Sequence, residues 1–239
     1  MISFPVFHQE DTLPVVAIFT TAAFYLAYWY AAHLKPVERL IRVRMPEAQL
    51  SLIWIMWRRT MGMLFLGFIP ILIFSWMVPG KHFIPGLSWD IHPDTLTWIG
   101  AVGGFVILVT FFTRHAKENL ESYPQIRIQP WTLSIHILNI ISWTGFLLAY
   151  EFLFRGILFF SVYESWGFWP SITINTTIYS LVHFPKGRRE TLGAIPLGFL
   201  MCYITFKTGS VWAAFGIHLI MAVSNDYFSK LAQPEHASS

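Results

Sequence analysis

Two charged residues in the middle of a long apolar stretch are candidates for acid–base chemistry. Glu151 and Arg155 lie four residues apart in Tyr150-Glu-Phe-Leu-Phe-Arg-Gly156, a spacing that places both side chains on one face of a helix. A charge at bilayer depth is costly unless it is paired or hydrated, so such residues seldom lack a role. The pattern predicts a carboxylate that a guanidinium keeps ionised beside a hydrated pocket. The alternative is an ion pair that only lets the helix bundle tolerate two charges.

Two histidines, His183 and His218, are the other candidates. His218 lies well inside a later apolar stretch, with no charged residue between it and Asp226. A buried imidazole needs a hydrogen-bond partner, and Glu151 and His183 are the partners we expect. We therefore predict that Glu151, Arg155, His183 and His218 surround one polar pocket. His183, which lies near the end of its apolar stretch, also fits an interface residue.

The elements that must position these residues are membrane helices. Of the 239 residues, 55% are hydrophobic and 12% are charged, whereas soluble domains carry about 25% charged residues. This composition predicts an all-α membrane bundle that forms one domain over residues 1–230, followed by a short disordered tail at 231–239. The basic residues behind the net charge of +3 lie mostly in the loops between membrane spans. Membrane lipids are therefore expected as partners, and nucleic acid is not.

Seven apolar segments, separated by clusters of proline, glycine and charged residues, are the candidate spans. They cover residues 13–34, 60–79, 95–113, 131–161, 168–184, 191–207 and 211–228. The fourth segment is too long for one perpendicular span, so we expect it to tilt, to kink near Gly156 or to end in a short buried helix. The stretch Leu50–Arg59 fits either an interfacial helix or the beginning of the second span.

Lysine and arginine collect in three segments, namely 35–59, 114–130 and 185–190. Cytoplasmic loops of membrane proteins are enriched in these residues. The three segments are therefore predicted to be cytoplasmic, with the N-terminus outside and the C-terminus inside. We expect the chain to lie in the cytoplasmic membrane of a prokaryote.

Three motifs, in this order, resemble those of the CPBP family, which includes CAAX-prenyl endopeptidases and bacteriocin-processing enzymes. The family's Glu-Glu-x-x-x-Arg motif corresponds to Tyr150-Glu-Phe-Leu-Phe-Arg155, and its Phe-x-x-x-His motif corresponds to Tyr179-Ser-Leu-Val-His183. The third motif, His-x-x-x-Asn or Asp, corresponds to His218, which follows Thr208-Gly-Ser-Val-Trp212. The resemblance covers about residues 145–225.

The resemblance implies a membrane endopeptidase that hydrolyses membrane-embedded or prenylated peptides without a covalent intermediate. In the family, the leading glutamate and the second-motif histidine would activate water. The third-motif histidine and asparagine would stabilise the oxyanion. Carried onto this chain, the catalytic set is Glu151, His183 and His218, with Arg155 orienting the carboxylate.

Two positions depart from the family pattern. Tyr150 replaces the leading glutamate, and a phenol with a pKa of about 10 is a poor general base at neutral pH. Ala222 replaces the asparagine and has no side-chain donor. Glu151 lies about 100° around the helix from Tyr150, and Asn225 lies about 10 Å along the axis from His218, so neither is well placed as a substitute in a regular helix.

Two functions therefore remain open. One is a divergent CPBP-type intramembrane endopeptidase with impaired activity. The other is a non-catalytic scaffold or structural subunit of a larger membrane complex, so the expected protein partner is either a membrane substrate or a complex subunit. No cofactor is predicted. A zinc ion at Glu151, His183 and His218 would suit the ligand types, but these residues lack the short helical spacing of metalloproteases.

Overall fold

The computed structural model describes residues 8–77, 86–89 and 91–233, and every regular element in these ranges is a helix. Uninterrupted helices long enough to approach the thickness of a bilayer are α1 (Thr12–Ala32), α5 (Asp94–Thr113), α10 (Arg188–Thr208) and α11 (Trp212–Ala232). The shorter helices α2 (Lys35–Arg44) and α6 (Lys117–Ser122) lie in the basic segments. The all-α bundle predicted from composition is confirmed.

Two longer helices each contain a π-helical segment. Helix α3 (Leu50–Gly62) continues through the π segment Met63–Phe68 into α4 (Ile69–Met77). Likewise, α7 (Leu133–Glu151) continues through the π segment Phe152–Phe159 into α8 (Phe160–Trp166), and α9 (Phe168–Val182) follows. Because a π turn inserts an extra residue, it rotates the side chains that follow it around the helix axis. The long fourth segment thus changes its helical geometry around Gly156, where a kink was one of the predicted outcomes.

Two of the seven predicted spans, 168–184 and 211–228, do not reach the length or the apolarity expected of a helix that crosses a membrane by itself. In the described part of the chain, five helical stretches are long and apolar enough to cross a membrane: Thr12–Arg44, Glu47–Trp76, Asp94–Thr113, Leu133–Trp166 and Arg188–Thr208. Helix α9 has 15 residues and is about 22 Å long, less than the roughly 30 Å of a hydrocarbon core. Helix α11 has 21 residues but carries Asp226 and Lys230, and it is not among the five.

Two predicted boundaries also move. The stretch Leu50–Arg59 belongs to α3, so the second span begins before residue 60, and residues 78 and 79 at its predicted end lie outside the described ranges. The predicted disordered tail, 231–239, begins too early because α11 extends to Ala232, where its last turn is still hydrogen-bonded. Residues 234–239 lie outside the described ranges.

The second π segment lies at the centre of the bundle. In the most apolar window of Leu133–Trp166, 78% of the residues are buried, compared with 22% to 39% in the other four candidate spans. All residues of Phe152–Phe159 are buried. A helix that is apolar on every side is stable when other helices surround it, and here α1, α7, α8 and α9 contact this segment. The Glu151–Arg155 region is thereby enclosed by protein.

A glycine allows α10 to approach α9 closely. A Cβ atom at Gly198 would lie 2.9 Å from Cδ1 of Tyr179, too close for a normal contact. Small residues at such crossings let membrane helices pack with their backbones near one another. The Tyr179 ring therefore lies between α10 and the second π segment, which contains Arg155. At the C-terminal end of α10, Gly209 has φ +66°, the left-handed conformation that ends many helices.

Candidate active site

Glu151 and Arg155 form a fully buried ion pair in the middle of the bundle. Glu151 is the last residue of α7 and Arg155 belongs to the π segment that follows. The Arg155 Nη1 atom is 3.1 Å from Glu151 Oε2, and neither side chain is exposed (0% for each). The Arg155 guanidinium also lies 4.2 Å from the centroid of the Tyr179 ring, in a cation–π contact. Two charges are thus accommodated by pairing and by an aromatic face.

His218 is the third member of this buried group. Its Nδ1 atom is 2.6 Å from Glu151 Oε1, although the two residues lie on different helices, α11 and α7. An ionised carboxylate only accepts hydrogen bonds, so Nδ1 carries the proton and donates it. In the neutral ring Nε2 is then the basic nitrogen, and no residue in the described ranges forms a hydrogen bond to it. Glu151 therefore fixes both the tautomer and the orientation of the His218 ring.

His183 is held in a similar way at the end of α9. Its Nδ1 atom is 2.7 Å from the backbone oxygen of Tyr179, and a carbonyl oxygen can only accept a hydrogen bond. Nδ1 therefore donates, and Nε2 remains available as an acceptor. The His183 ring lies against the Tyr179 ring, with their centroids 4.5 Å apart. Both imidazoles thus combine an anchored Nδ1–H with a free Nε2.

His183 and His218 line one cavity of about 300 Å³. Tyr150 and Ala222, the two positions that depart from the family motifs, also line it. The centroid of the Tyr150 ring is 5.7 Å from that of His218 and 6.1 Å from that of Tyr179, the ring against which His183 lies. The Tyr150 hydroxyl is buried and has no hydrogen-bond partner among the described residues. All four motif positions that would face a substrate thus meet at this cavity.

Glu151 and Arg155 do not line the cavity. The Glu151 carboxylate is enclosed between Arg155 and the His218 ring, so a water molecule in the cavity would meet His218 rather than Glu151. The structure thus brings the four predicted site residues into one region but divides them into two layers. The histidines face the cavity, while Glu151 and Arg155 lie behind them. In this arrangement Glu151 can orient His218, but it is poorly placed to remove a proton from water in the cavity.

A second buried polar cluster was not predicted from the sequence. Asp226 accepts hydrogen bonds from Trp143 Nε1 at 2.7 Å, from Asn139 Nδ2 at 3.1 Å and from the backbone nitrogen of Gln125 at 2.8 Å. Arg59 lies 3.7 Å from the same carboxylate and 3.9 Å from the centroid of the Trp143 ring. Arg59 also lines the cavity.

One residue of this cluster, Asp226, could have been suggested by the sequence. Asp226 follows His218 by eight residues and so lies on nearly the same face of its helix. The burial of Arg59 could not be predicted in this way, since Arg59 lies at the end of a basic segment that was assigned to the cytoplasm.

In the ranges that the structure describes, no three histidine, cysteine, aspartate or glutamate side chains are grouped so that they could hold a metal ion. Glu151 and His218 share a hydrogen bond, whereas Nδ1 of His183 is bound to a backbone oxygen. The zinc ion considered at Glu151, His183 and His218 stays a prediction, and no step of the chemistry below uses a metal.

Comparison with known proteins finds a family to which the motif region is similar. The family model for type II CAAX prenyl endopeptidases, described as Rce1-like, matches residues 131–224. The match covers α7, the π segment, and α8 to α10, together with His218 in α11. No curated protein and no solved structure matches the chain significantly.

The chain is therefore an integral membrane protein whose region 131–224 is similar to type II CAAX prenyl endopeptidases of the Rce1-like kind. The resemblance to the CPBP family that the motifs indicated is confirmed. The hydropathy of the five candidate spans agrees with this class.

Proposed function

We propose that this chain is a CAAX-endopeptidase-type membrane protein whose cavity binds a membrane-associated peptide without hydrolysing it efficiently. One observation carries the proposal. The cavity wall contains both motif histidines, but Tyr150 and Ala222 occupy the positions of the expected base and amide. A cavity with apolar and aromatic walls and a few polar groups suits ligand binding. Hydrolysis additionally needs a base in contact with the attacking water and a donor for the developing oxyanion.

Glu190 is the one carboxylate in the cavity wall among the residues that the structure describes. Glu190 is a poor replacement for the missing base, because its Oε2 atom lies 3.6 Å from Lys186 Nζ in an ion pair. A paired carboxylate is a weaker base than a free one. This residue nevertheless provides a sharp test of the proposal.

The first prediction concerns the wild-type protein. The purified full chain, incubated with a fluorescence-quenched farnesylated CAAX peptide, should hydrolyse it no faster than the His183→Ala variant does. It should still bind the peptide, as measured by fluorescence anisotropy. Wild-type cleavage that disappears in both His183→Ala and Glu190→Gln would contradict the proposal and would make Glu190 the base.

A second function is supported by the short bond between His218 and Glu151. A carboxylate that accepts from Nδ1–H raises the basicity of Nε2, as in other carboxylate–histidine pairs. His218 itself could then be the base of a divergent endopeptidase. Cleavage that is lost in His218→Ala but unchanged in Glu190→Gln would favour this second function over the first.

We also propose the orientation that the charge pattern predicts, with the N-terminus outside, the C-terminus inside and the membrane that of a prokaryotic cell. This orientation requires α9 and α11 to cross the membrane in addition to the five stretches that are long and apolar enough by themselves. In a Cys202→Ser background, cysteines introduced as Arg42→Cys or Arg188→Cys should resist membrane-impermeant maleimides in intact cells. They should react once the cells are opened. A Trp89→Cys control should react in intact cells, because Trp89 is 83% exposed and lies on the predicted outer side. Labelling of the first two from outside would reverse the orientation.

A further inference from the structure

Arg58, in the wall of the cavity, has no counter-charge among the residues that the structure describes. Its side chain is half-buried, and its Nε atom is buried with no hydrogen-bond partner. No ion pair joins Arg58 to any residue within the described ranges. The neighbouring Arg59 differs, since its charge is balanced by Asp226 at 3.7 Å. A half-buried guanidinium without a partner is costly, and a bound anion would offset that cost.

A second cation lies near Arg58 at the mouth of the cavity. Lys186 belongs to the loop after α9 and lines the same cavity. Half of its side chain is exposed (50%), so the ammonium group is only partly removed from water. This desolvation lowers the pKa of Lys186, Glu190 raises it, and the nearby charge of Arg58 lowers it further. The two cations therefore repel each other, and an anion between them would relieve the repulsion.

The charges around the mouth favour a monoanion. Arg59 is balanced by Asp226, and Lys186 is balanced by Glu190 at 3.6 Å. Arg58 alone remains unbalanced among the charged residues of the described cavity wall. A phosphodiester carries one negative charge and offers several acceptor oxygens, which suits a guanidinium and an ammonium together.

The surroundings favour a phosphodiester that belongs to a lipid. The cavity wall includes residues of all three basic segments, namely Arg58, Gln125 and Lys186, so this part of the cavity lies at the end of the bundle that is predicted to face the cytoplasm. Basic pockets between membrane helices on that side are typical binding sites for lipid headgroups. Beside Arg58 and Lys186, the wall contains Trp29, Tyr28 and Ile55, and such aromatic and apolar side chains suit the glycerol and acyl portions of a lipid.

We propose that the phosphodiester headgroup of an anionic membrane lipid binds at the mouth of this cavity, between Arg58 and Lys186. The Arg58 guanidinium donates to the phosphate oxygens, and Lys186 supplies the second positive charge. The site differs from the histidine site deeper in the cavity, and it does not depend on whether a peptide bond is cleaved. Tyr123 lies in the same wall, and burial raises the pKa of its phenol, so it remains a neutral hydrogen-bond donor.

The test measures lipid retention by the delipidated full chain in detergent, using native mass spectrometry during titration with phosphatidylglycerol. Phosphatidylglycerol should bind in a one-to-one complex. The Arg58→Gln variant should weaken that binding about 10- to 100-fold, the factor expected for losing one hydrogen bond to a charged group. Arg44→Gln is the matched control, because it removes the same charge from an exposed position in the same basic segment. It should bind phosphatidylglycerol like the wild type.

Three results would overturn the proposal. Equal weakening in Arg58→Gln and Arg44→Gln would reveal general attraction of a basic surface to anionic lipid. Equally tight binding of soluble glycerophosphoglycerol or inorganic phosphate would reassign the site to a free phosphate and remove the lipid. Binding of a peptide carboxylate that is lost in Arg58→Gln, without retention of phosphatidylglycerol, would assign the mouth to the peptide end. None of these results depends on hydrolysis, so the proposed function is tested separately.

Discussion

The double variant Tyr150→Glu with Ala222→Asn should hydrolyse a farnesylated CAAX peptide that the wild type leaves intact. Both side chains line the cavity beside His183 and His218. The glutamate would supply a base at the family's position, and the asparagine would supply a donor for the oxyanion. A positioned base contributes a factor of about 10²–10⁴ to a rate, and a lost oxyanion donor costs about 10²–10³. Initial rates of peptide cleavage measure the gain.

The two single variants should remain close to the wild type, because residues that act as a catalytic unit are strongly non-additive. Adding His183→Ala to the double variant should abolish the new activity, which excludes a contaminating protease. A correctly folded double variant that binds the peptide but does not cleave it would contradict the prediction. It would show that these two substitutions are not what limits hydrolysis.

Much of the fold could be predicted because its main determinant is local. Long apolar stretches and the breaks between them are visible in the sequence, and they correspond to helices in the structure. The sequence was a poorer guide to which apolar helices are long enough to cross the membrane. Helix α9 is apolar but has only 15 residues, and apolarity alone does not show whether lipid or other helices surround a segment. The π segments depend on packing around Phe152–Phe159, which no local pattern records.

The candidate site was predictable to the extent that buried polar groups need partners. His218 lacked a local partner in the sequence, and the structure places it 2.6 Å from Glu151. The direction in which Glu151 points could not be predicted, since it depends on how α7 is rotated within the bundle. The pairing of Arg59 with Asp226 joins residues far apart in the chain. Positive charge at the end of a basic segment gave no reason to expect Arg59 inside the protein.

The buried pair between Glu151 and Arg155 should be essential for stability. Glu151→Gln keeps an acceptor for His218 Nδ1 but leaves the Arg155 charge unpaired in the centre of the bundle. Removing one partner of a buried ion pair costs about 3–5 kcal/mol, so the free energy of unfolding should fall by about that amount. Arg155→Met should have a similar effect, because it leaves the Glu151 carboxylate buried with His218 as its remaining partner. Reversible unfolding in mixed micelles, followed by circular dichroism, measures both losses.

The double variant Glu151→Gln with Arg155→Met should recover much of the lost stability, since it removes both charges together. The pair Glu38–Arg42 is the matched control. It has the same residue types in the same order and the same four-residue spacing, at 2.9 Å, but its side chains are 41% and 65% exposed. In that control, Glu38→Gln, Arg42→Met and their combination should show no measurable coupling, because water screens exposed pairs. If the buried pair showed as little coupling as the exposed one, the charges would contribute nothing to stability. Their place behind His218 would then be explained by orientation of that imidazole alone.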